Sequence, residues 1–189
     1  MAKRKPKTVV GLSGSPRKGA NTDVVVEEIL AGAKAVGART QFIRLADLDI
    51  SGCVACYACE KTGKCGRKDD MALVYRALER ADAWVLGTPV YWFTMSAQMK
   101  APVDRFFAWA TNPKGSPVKG KRAAVVTLSG DSDVKEMAKS IFDPFAKGFK
   151  FLGVRFAARM ALQGVEKEKA KKRWTNFKPA RRLGARLAQ

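Results

Sequence analysis

Short apolar runs alternate along this chain with longer segments of helical periodicity, and that alternation limits the fold more than any other property of the sequence. Thr8-Val9-Val10-Gly11-Leu12 reads as a buried strand and Thr40-Gln41-Phe42-Ile43-Arg44-Leu45 as a second. Ala83-Trp84-Val85-Leu86-Gly87 is a third, Arg122 to Leu128 a fourth, and Val154 to Ala161 a weaker fifth. Between the first two, Val25, Val26, Ile29, Leu30 and Ala33 recur at helical spacing, with Gly37 as the stop. Asp69 or Asp70 caps a helix carrying Met71, Val74, Leu78 and Ala81. Two further helices, near 96–110 and 132–147, contain Pro102 and Pro144, and each proline is expected to kink or shift its helix. A last helix falls near 179–188. Strands alternating with helices predict a parallel sheet with right-handed crossovers and helices on both faces. Ligands of such sheets bind beyond the carboxyl ends of the strands, where strand order reverses. Three polar loops should gather there: 13–22, 88–94 and 129–133, the last bringing Ser129 and Gly130 to the same edge.

At 189 residues the chain suits one domain, and no internal repeat or long linker divides it. It carries a basic N-terminal stretch over 1–7 and a basic C-terminal segment over 166–189 that ends in the last helix. No apolar run approaches the roughly 18 residues that cross a bilayer. The basic start is followed by too short an apolar run for a signal-peptide core. The expectation is a cytoplasmic protein with no membrane association. The net charge of +19 raises the question of a polyanionic partner. No zinc-finger spacing or RNA-recognition motif accompanies it, and the aromatics do not interleave with the basic runs as a stacking platform would. The residues therefore favour a solvated basic surface, with a field that draws in phosphate-bearing cofactors, over nucleic-acid binding. Histidine is absent altogether, which excludes His-based acid–base catalysis, Ser-His triads and imidazole metal ligands.

The turn Ser13-Gly14-Ser15-Pro16-Arg17-Lys18-Gly19-Ala20-Asn21-Thr22 joins the first strand to a helix start. Backbone amides and the positive end of a helix make such a place an anion site. Ser13, Ser15 and Thr22 add hydroxyls, Asn21 an amide, and Arg17 a guanidinium suited to a paired contact with phosphate. It is not a P-loop, because Ala20-Asn21 follow Gly19 where Lys-Ser is required, and Gly11-Leu12-Ser13-Gly14 does not match the dinucleotide fingerprint. After the third strand, Tyr91-Trp92-Phe93 places three aromatics in a row where a loop is expected. All three cannot face one core, so at least one is expected on a ligand or partner.

Cys53, Cys56, Cys59 and Cys65 are all the cysteines of the chain, spaced C-x2-C-x2-C-x5-C inside a loop over 50–68. The x2 steps let thiolates curl round one centre, and four thiolates suit an iron–sulfur cluster or tetrahedral zinc. Zinc sites usually pair two C-x2-C knuckles across a longer loop, and disulfides are disfavoured in a cytoplasmic chain. Cluster, zinc and free redox thiols stay open.

"GSPRKGANT" after the first strand, "GTPVYWFTMSAQMKAPVDRF" after the third, and the clustered cysteines between them together resemble the NADPH-dependent FMN reductases and their iron–sulfur flavoprotein relatives. The resemblance covers about residues 8–160; Pro102 departs from its usual helix-favouring pattern. It implies a flavodoxin-like three-layer α/β sandwich with a five-stranded parallel sheet in the order 2-1-3-4-5. By that likeness Ser13, Ser15, Arg17, Asn21 and Thr22 hold the FMN phosphate, and Pro89, Val90, Tyr91, Trp92 and Phe93 line the isoalloxazine. It points to a 4Fe–4S cluster on the four cysteines, to NAD(P)H or ferredoxin as electron donor, and to a homodimer or homotetramer. The expected function is an FMN-dependent oxidoreductase, with no side chain needed as acid or base. The alternative is a non-catalytic flavin- or redox-sensing module whose basic tail binds nucleic acid or an acidic partner.

Overall fold

The computed structural model describes residues 5–130, 133–163 and 177–189. Strands β1 (Thr8–Ser13), β2 (Arg39–Arg44), β3 (Ala83–Tyr91), β5 (Arg122–Ser129) and β6 (Arg155–Gln163) form a parallel sheet in the spatial order β2-β1-β3-β5-β6. Numbered among themselves, the parallel strands thus lie in the expected order 2-1-3-4-5. A sixth strand, the two-residue β4 (Thr94–Met95), runs antiparallel to the end of β3.

The inner strands β1, β3 and β5 are buried on both faces, while the edge strands β2 and β6 are half-buried, and the alternating side chains feed two separate cores. Val9, Val85, Ala124 and Val126 point to one side, where α1 (Asn21–Ala35) brings Val25, Val26 and Ile29. Val10, Leu12, Trp84, Leu86 and Val125 point to the other. There they meet α3 (Met71–Arg80), α4 (Ala97–Arg105), α5 (Phe107–Ala110) and α6 (Val134–Leu152). Trp84 anchors that second core, stacking on Trp109 and donating its indole N–H to the Leu78 carbonyl at 2.9 Å.

The first core is closed by the last helix, α7 (Lys178–Leu187), which lays Ala180, Leu183 and Leu187 against α1. The two helices meet backbone to backbone. A Cβ on Gly184 would stand 1.7 Å from the Ile29 carbonyl oxygen, and one on Gly32 would stand 2.0 Å from that of Arg181. Arg122 adds a tie from the sheet by donating to the Leu187 carbonyl at 2.6 Å.

α1 stops as its sequence indicates: Gly37 takes φ +88 and its N–H caps the Lys34 carbonyl at 2.9 Å. The prolines act less than expected. α4 passes through the buried Pro102 and ends at Arg105, and α6 runs through Pro144 to Leu152, five residues past its expected end. Both helices are held by apolar packing, which outweighs one missing hydrogen bond each. Ser132, expected to open α6, lies outside the described residues, as do 1–4 of the basic N-terminal stretch and 166–176 of the basic C-terminal segment. Among the described residues no helix is long and apolar enough to cross a membrane.

Candidate functional site

At the carboxyl edge of the sheet, β1 lies between β2 and β3, the point where strand order reverses. The turn after β1 is built around a carboxylate. Asp23, in the first turn of α1 and only 2% exposed, accepts the Ser13 hydroxyl at 2.5 Å and the Gly19 amide at 2.8 Å. It also forms an ion pair with Arg44, whose guanidinium donates in addition to the Arg17 carbonyl and to Asp47. The Ser13 hydroxyl, while donating to Asp23, accepts the Ser15 amide at 3.3 Å. The buried Ser15 folds its own hydroxyl back on Arg17, accepting from the amide and donating to the carbonyl at 3.2 Å each.

These contacts hold a loop whose outer rim, Pro16 to Gly19 with the Arg17 side chain, faces solvent. Asn21 and Thr22 are buried at the helix start. Ala20 occupies the N-cap and supplies no side-chain hydrogen bond, so backbone amides stand at the positive end of α1 with the Asp23 carboxylate in the same turn. That donor set suits a phosphate dianion, with the Asp23 charge already matched by Arg44.

The third strand runs further than its sequence suggests. Pro89, Val90 and Tyr91 lie within β3, and Trp92 and Phe93 alone make the turn into β4. Both turn residues have positive φ, +45 and +63, as a two-residue primed hairpin requires. Such turns favour Asn-Gly, and bulky aromatics in this conformation cost about 1–3 kcal/mol each. Trp92 is 90% exposed, Phe93 59% and Tyr91 40%. The Ser140 hydroxyl of α6 donates to the Phe93 carbonyl and fixes the turn from outside.

Ser96 couples the two loops. As N-cap of α4 it accepts the Met99 amide at 3.3 Å, and its hydroxyl donates to the Gly14 carbonyl at 2.6 Å. Its own amide donates to the Thr88 hydroxyl at 3.1 Å. Gly14 also reaches β3 directly, its amide donating to the Gly87 carbonyl at 2.8 Å. A side chain at Gly14 would run into Met99 and Ser96, so glycine is required by close approach. Ser129 ends β5, buried, and Gly130 follows it exposed. Asp133, beyond two residues outside the described set, N-caps α6 by accepting the Glu136 amide at 3.1 Å.

The cysteine loop is pinned at its neck. Asp70 and Asp49 exchange backbone and side-chain hydrogen bonds, and Asp69 accepts the Ser51 and Met71 amides. The buried Arg105 crosses the neck, pairing with Asp69 at 2.5 Å and donating to the Ser51 carbonyl at 3.2 Å. Burial pushes the Asp69 carboxyl up, but the Arg105 guanidinium and the two amides outweigh it and hold the group below the ordinary carboxylate range. Tyr75, beside Arg105 and Cys65, is driven well up, chiefly by burial.

Above the neck, Ala55 and Tyr57 take left-handed conformations on either side of Cys56, and Cys59 sits in the short α2 (Ala58–Thr62). Cys53 and Cys56 are exposed, and Cys59 and Cys65 half-buried. Among the described residues no three cysteine, aspartate or glutamate side chains converge on a point that could take a metal. The even x2 spacing is not matched by a gathered set of thiols in this arrangement.

Asp23, Arg44, Ser96 and Arg105 were not singled out by sequence reasoning, and Asp69 only as a candidate helix cap. For Asp23 and Ser96 a signal existed: one is an acid in a first helical turn, the other the opening residue of a helix.

Sheet order and loops together define a doubly wound protein of flavodoxin type. A family model described as NADPH-dependent FMN reductase matches residues 8–163, and the chain belongs to that family. It is 41% identical over 97 residues to an iron–sulfur flavoprotein of Methanocaldococcus jannaschii, covering 51% of this chain and 50% of that protein. An iron–sulfur flavoprotein of Archaeoglobus fulgidus is 32% identical over 130 residues, covering 68% and 58%. The chain thus spans half to under two thirds of the length of these relatives. Among solved structures, an NAD(P)H:quinone oxidoreductase from Methanothermobacter marburgensis superposes with TM-score 0.73 at 20% identity, covering 98% of each chain.

Proposed function

We propose that this chain is an FMN-dependent oxidoreductase drawing on NAD(P)H or a small electron-carrier protein. The observation that carries the reading is the start of α1: an uncapped helix end, the buried Ser15 and the Arg17 rim, one strand away from an exposed aromatic turn. Arg17, Asn21, Thr22 and Ser15 would hold the phosphate, with Ser13 acting through Asp23 to set the loop. Pro89 to Phe93, with Ser129 and Gly130, would line the ring. Bound FMN would supply hydride acceptance and electron transfer. The chain's own residues bind, orient and shield, and none is required as acid or base.

The cysteine spacing, together with the names of the two archaeal relatives, supports a 4Fe–4S cluster on Cys53, Cys56, Cys59 and Cys65. The thiols are not gathered here, so no electron path is drawn through them. Cytoplasmic location and a homodimer or homotetramer complete the reading.

Titrating FMN into apoprotein while following flavin fluorescence tests the site. Stoichiometric quenching, weakened by Arg17→Ala, is expected; no quenching would refute the flavin assignment. Anaerobic NADPH or NADH should then bleach the yellow band, and persistence of the band would leave a protein donor. Iron and sulfide reconstitution should add a broad brown absorption that Cys59→Ala removes.

A further inference from the structure

The free edge of the sheet at β2 borders a groove of about 860 Å³ that the flavin reading does not use. One wall is β2 itself, paired with β1. Among the described residues its other edge has no partner strand, so that edge presents a row of main-chain donors and acceptors. The other wall is the outer stripe of α3, with Leu73, Arg76, Ala77 and Arg80 at helical spacing.

Charge in the groove has one sign. Lys5, Arg39, Arg76 and Arg80 line it, all exposed, and none forms an ion pair with a described residue. Arg44 also borders it but is committed to Asp23 and Asp47, and Asp47 is the groove's single acid. The floor is apolar: Ile43 and Leu48 lie half-buried there, and Leu73 is 43% exposed. Phe42, the groove's one aromatic, is half-buried and packs toward α1, so there is no ring for bases to stack on.

An open strand edge, an apolar floor and four uncompensated cations describe a ligand that is extended, partly apolar and negatively charged. We propose that this groove binds an acidic, extended segment of a partner polypeptide, added to β2 as a further strand. Main-chain hydrogen bonds supply the register, the floor takes apolar side chains, and the cations select acidic ones. The alternative role for Arg39 at such an edge is to repel a neighbouring copy of the chain.

The test uses the full chain and a fluorescein-labelled octapeptide alternating Glu and Val, read by anisotropy. The peptide should bind with an affinity that falls as salt rises, and one alternating Lys and Val should not bind. Methylating every second peptide nitrogen, which leaves charge intact, should abolish binding. The double variant Arg76→Glu/Arg80→Glu should weaken it more than about tenfold while leaving FMN quenching unchanged. The proposal is overturned if the acidic peptide does not bind, if the N-methylated peptide binds as tightly, or if the double variant binds normally. An oligouridylate of equal charge binding more tightly than the peptide would overturn it in favour of a nucleic-acid surface.

Discussion

Ser96 reaches across the carboxyl edge of the sheet to the Gly14 carbonyl, 2.6 Å away, and so ties the helix after the aromatic hairpin to the turn after the first strand. Neither loop is positioned independently of the other. Ser96→Ala removes this bond and the α4 cap together, and leaves the Ser96 amide's bond to the Thr88 hydroxyl in place. It should cost about 1–2 kcal/mol in urea unfolding and weaken FMN binding as well. An unchanged FMN dissociation constant would show that the two loops are set separately.

Asp23 and Arg44 form an ion pair in which both side chains are nearly inaccessible, 3% and 9% exposed. Asp23→Ala leaves a buried guanidinium and releases Ser13 and Gly19, so a loss of about 3 kcal/mol is expected from thermal or urea unfolding. Arg44→Met should be milder, because Asp23 keeps its hydroxyl and amide donors.

The neck of the cysteine loop should set part of the acid limb of stability. Asp69 titrates below its ordinary value when folded, so it contributes stability at pH above the usual carboxylate range, about 4. That contribution is lost as pH falls through the depressed folded value. Asp82 acts with the same sign: burial opposes it, but the Thr8 amide, Lys7 and Lys121 prevail. Urea midpoints measured from pH 6 down to pH 2 should fall less steeply in Asp69→Asn than in the parent.

At the hairpin, stability and function are expected to part. Replacing Trp92-Phe93 by Asn-Gly supplies residues that accept positive φ and should raise the unfolding free energy by about 1–2 kcal/mol. The same change removes two exposed rings from the edge proposed to hold the flavin, so reductase turnover should drop. A variant that gains stability and keeps full turnover would show that the aromatics serve neither ring nor substrate.

Gly184→Ala places a methyl where the Ile29 carbonyl stands. The helices must separate, at about 2–3 kcal/mol or more. Limited proteolysis should then release the C-terminal residues earlier than in the parent.

How much of this was legible follows from where each force acts. β1, β2 and β3 show their burial as apolar runs, and α1 its buried stripe, so sheet order and the place of the turn after β1 could be read. The extension of β3 through Pro89 to Tyr91 could not, because Pro89 pairs with Leu128 of β5 and Val90 and Tyr91 pair with Met95 and Thr94 across a turn that no Asn-Gly announces. Pro102 and Pro144 misled for the complementary reason: local propensity favours a break at each, while packing of Met99, Phe145 and Phe149 carries both helices through, and the stretch expected as one helix over 96–110 divides instead at Phe106. Asp23, Arg44 and Arg105 act across 21 and 36 residues of sequence separation, and no local pattern carries such partners. The cysteine spacing spoke of four thiols near one another in sequence; the left-handed turns at Ala55 and Tyr57 decide how they lie in space.

The crossing of α1 by α7 has a consequence for how the protein is made. α1 is translated well before α7, yet its backbone at Ile29, Gly32 and Ala33 is met by residues 178–187. Until α7 has been translated that greasy flank stands open to water, a surface for a chaperone to hold, and the turn after β1 acquires its rigid backing only when the two helices meet.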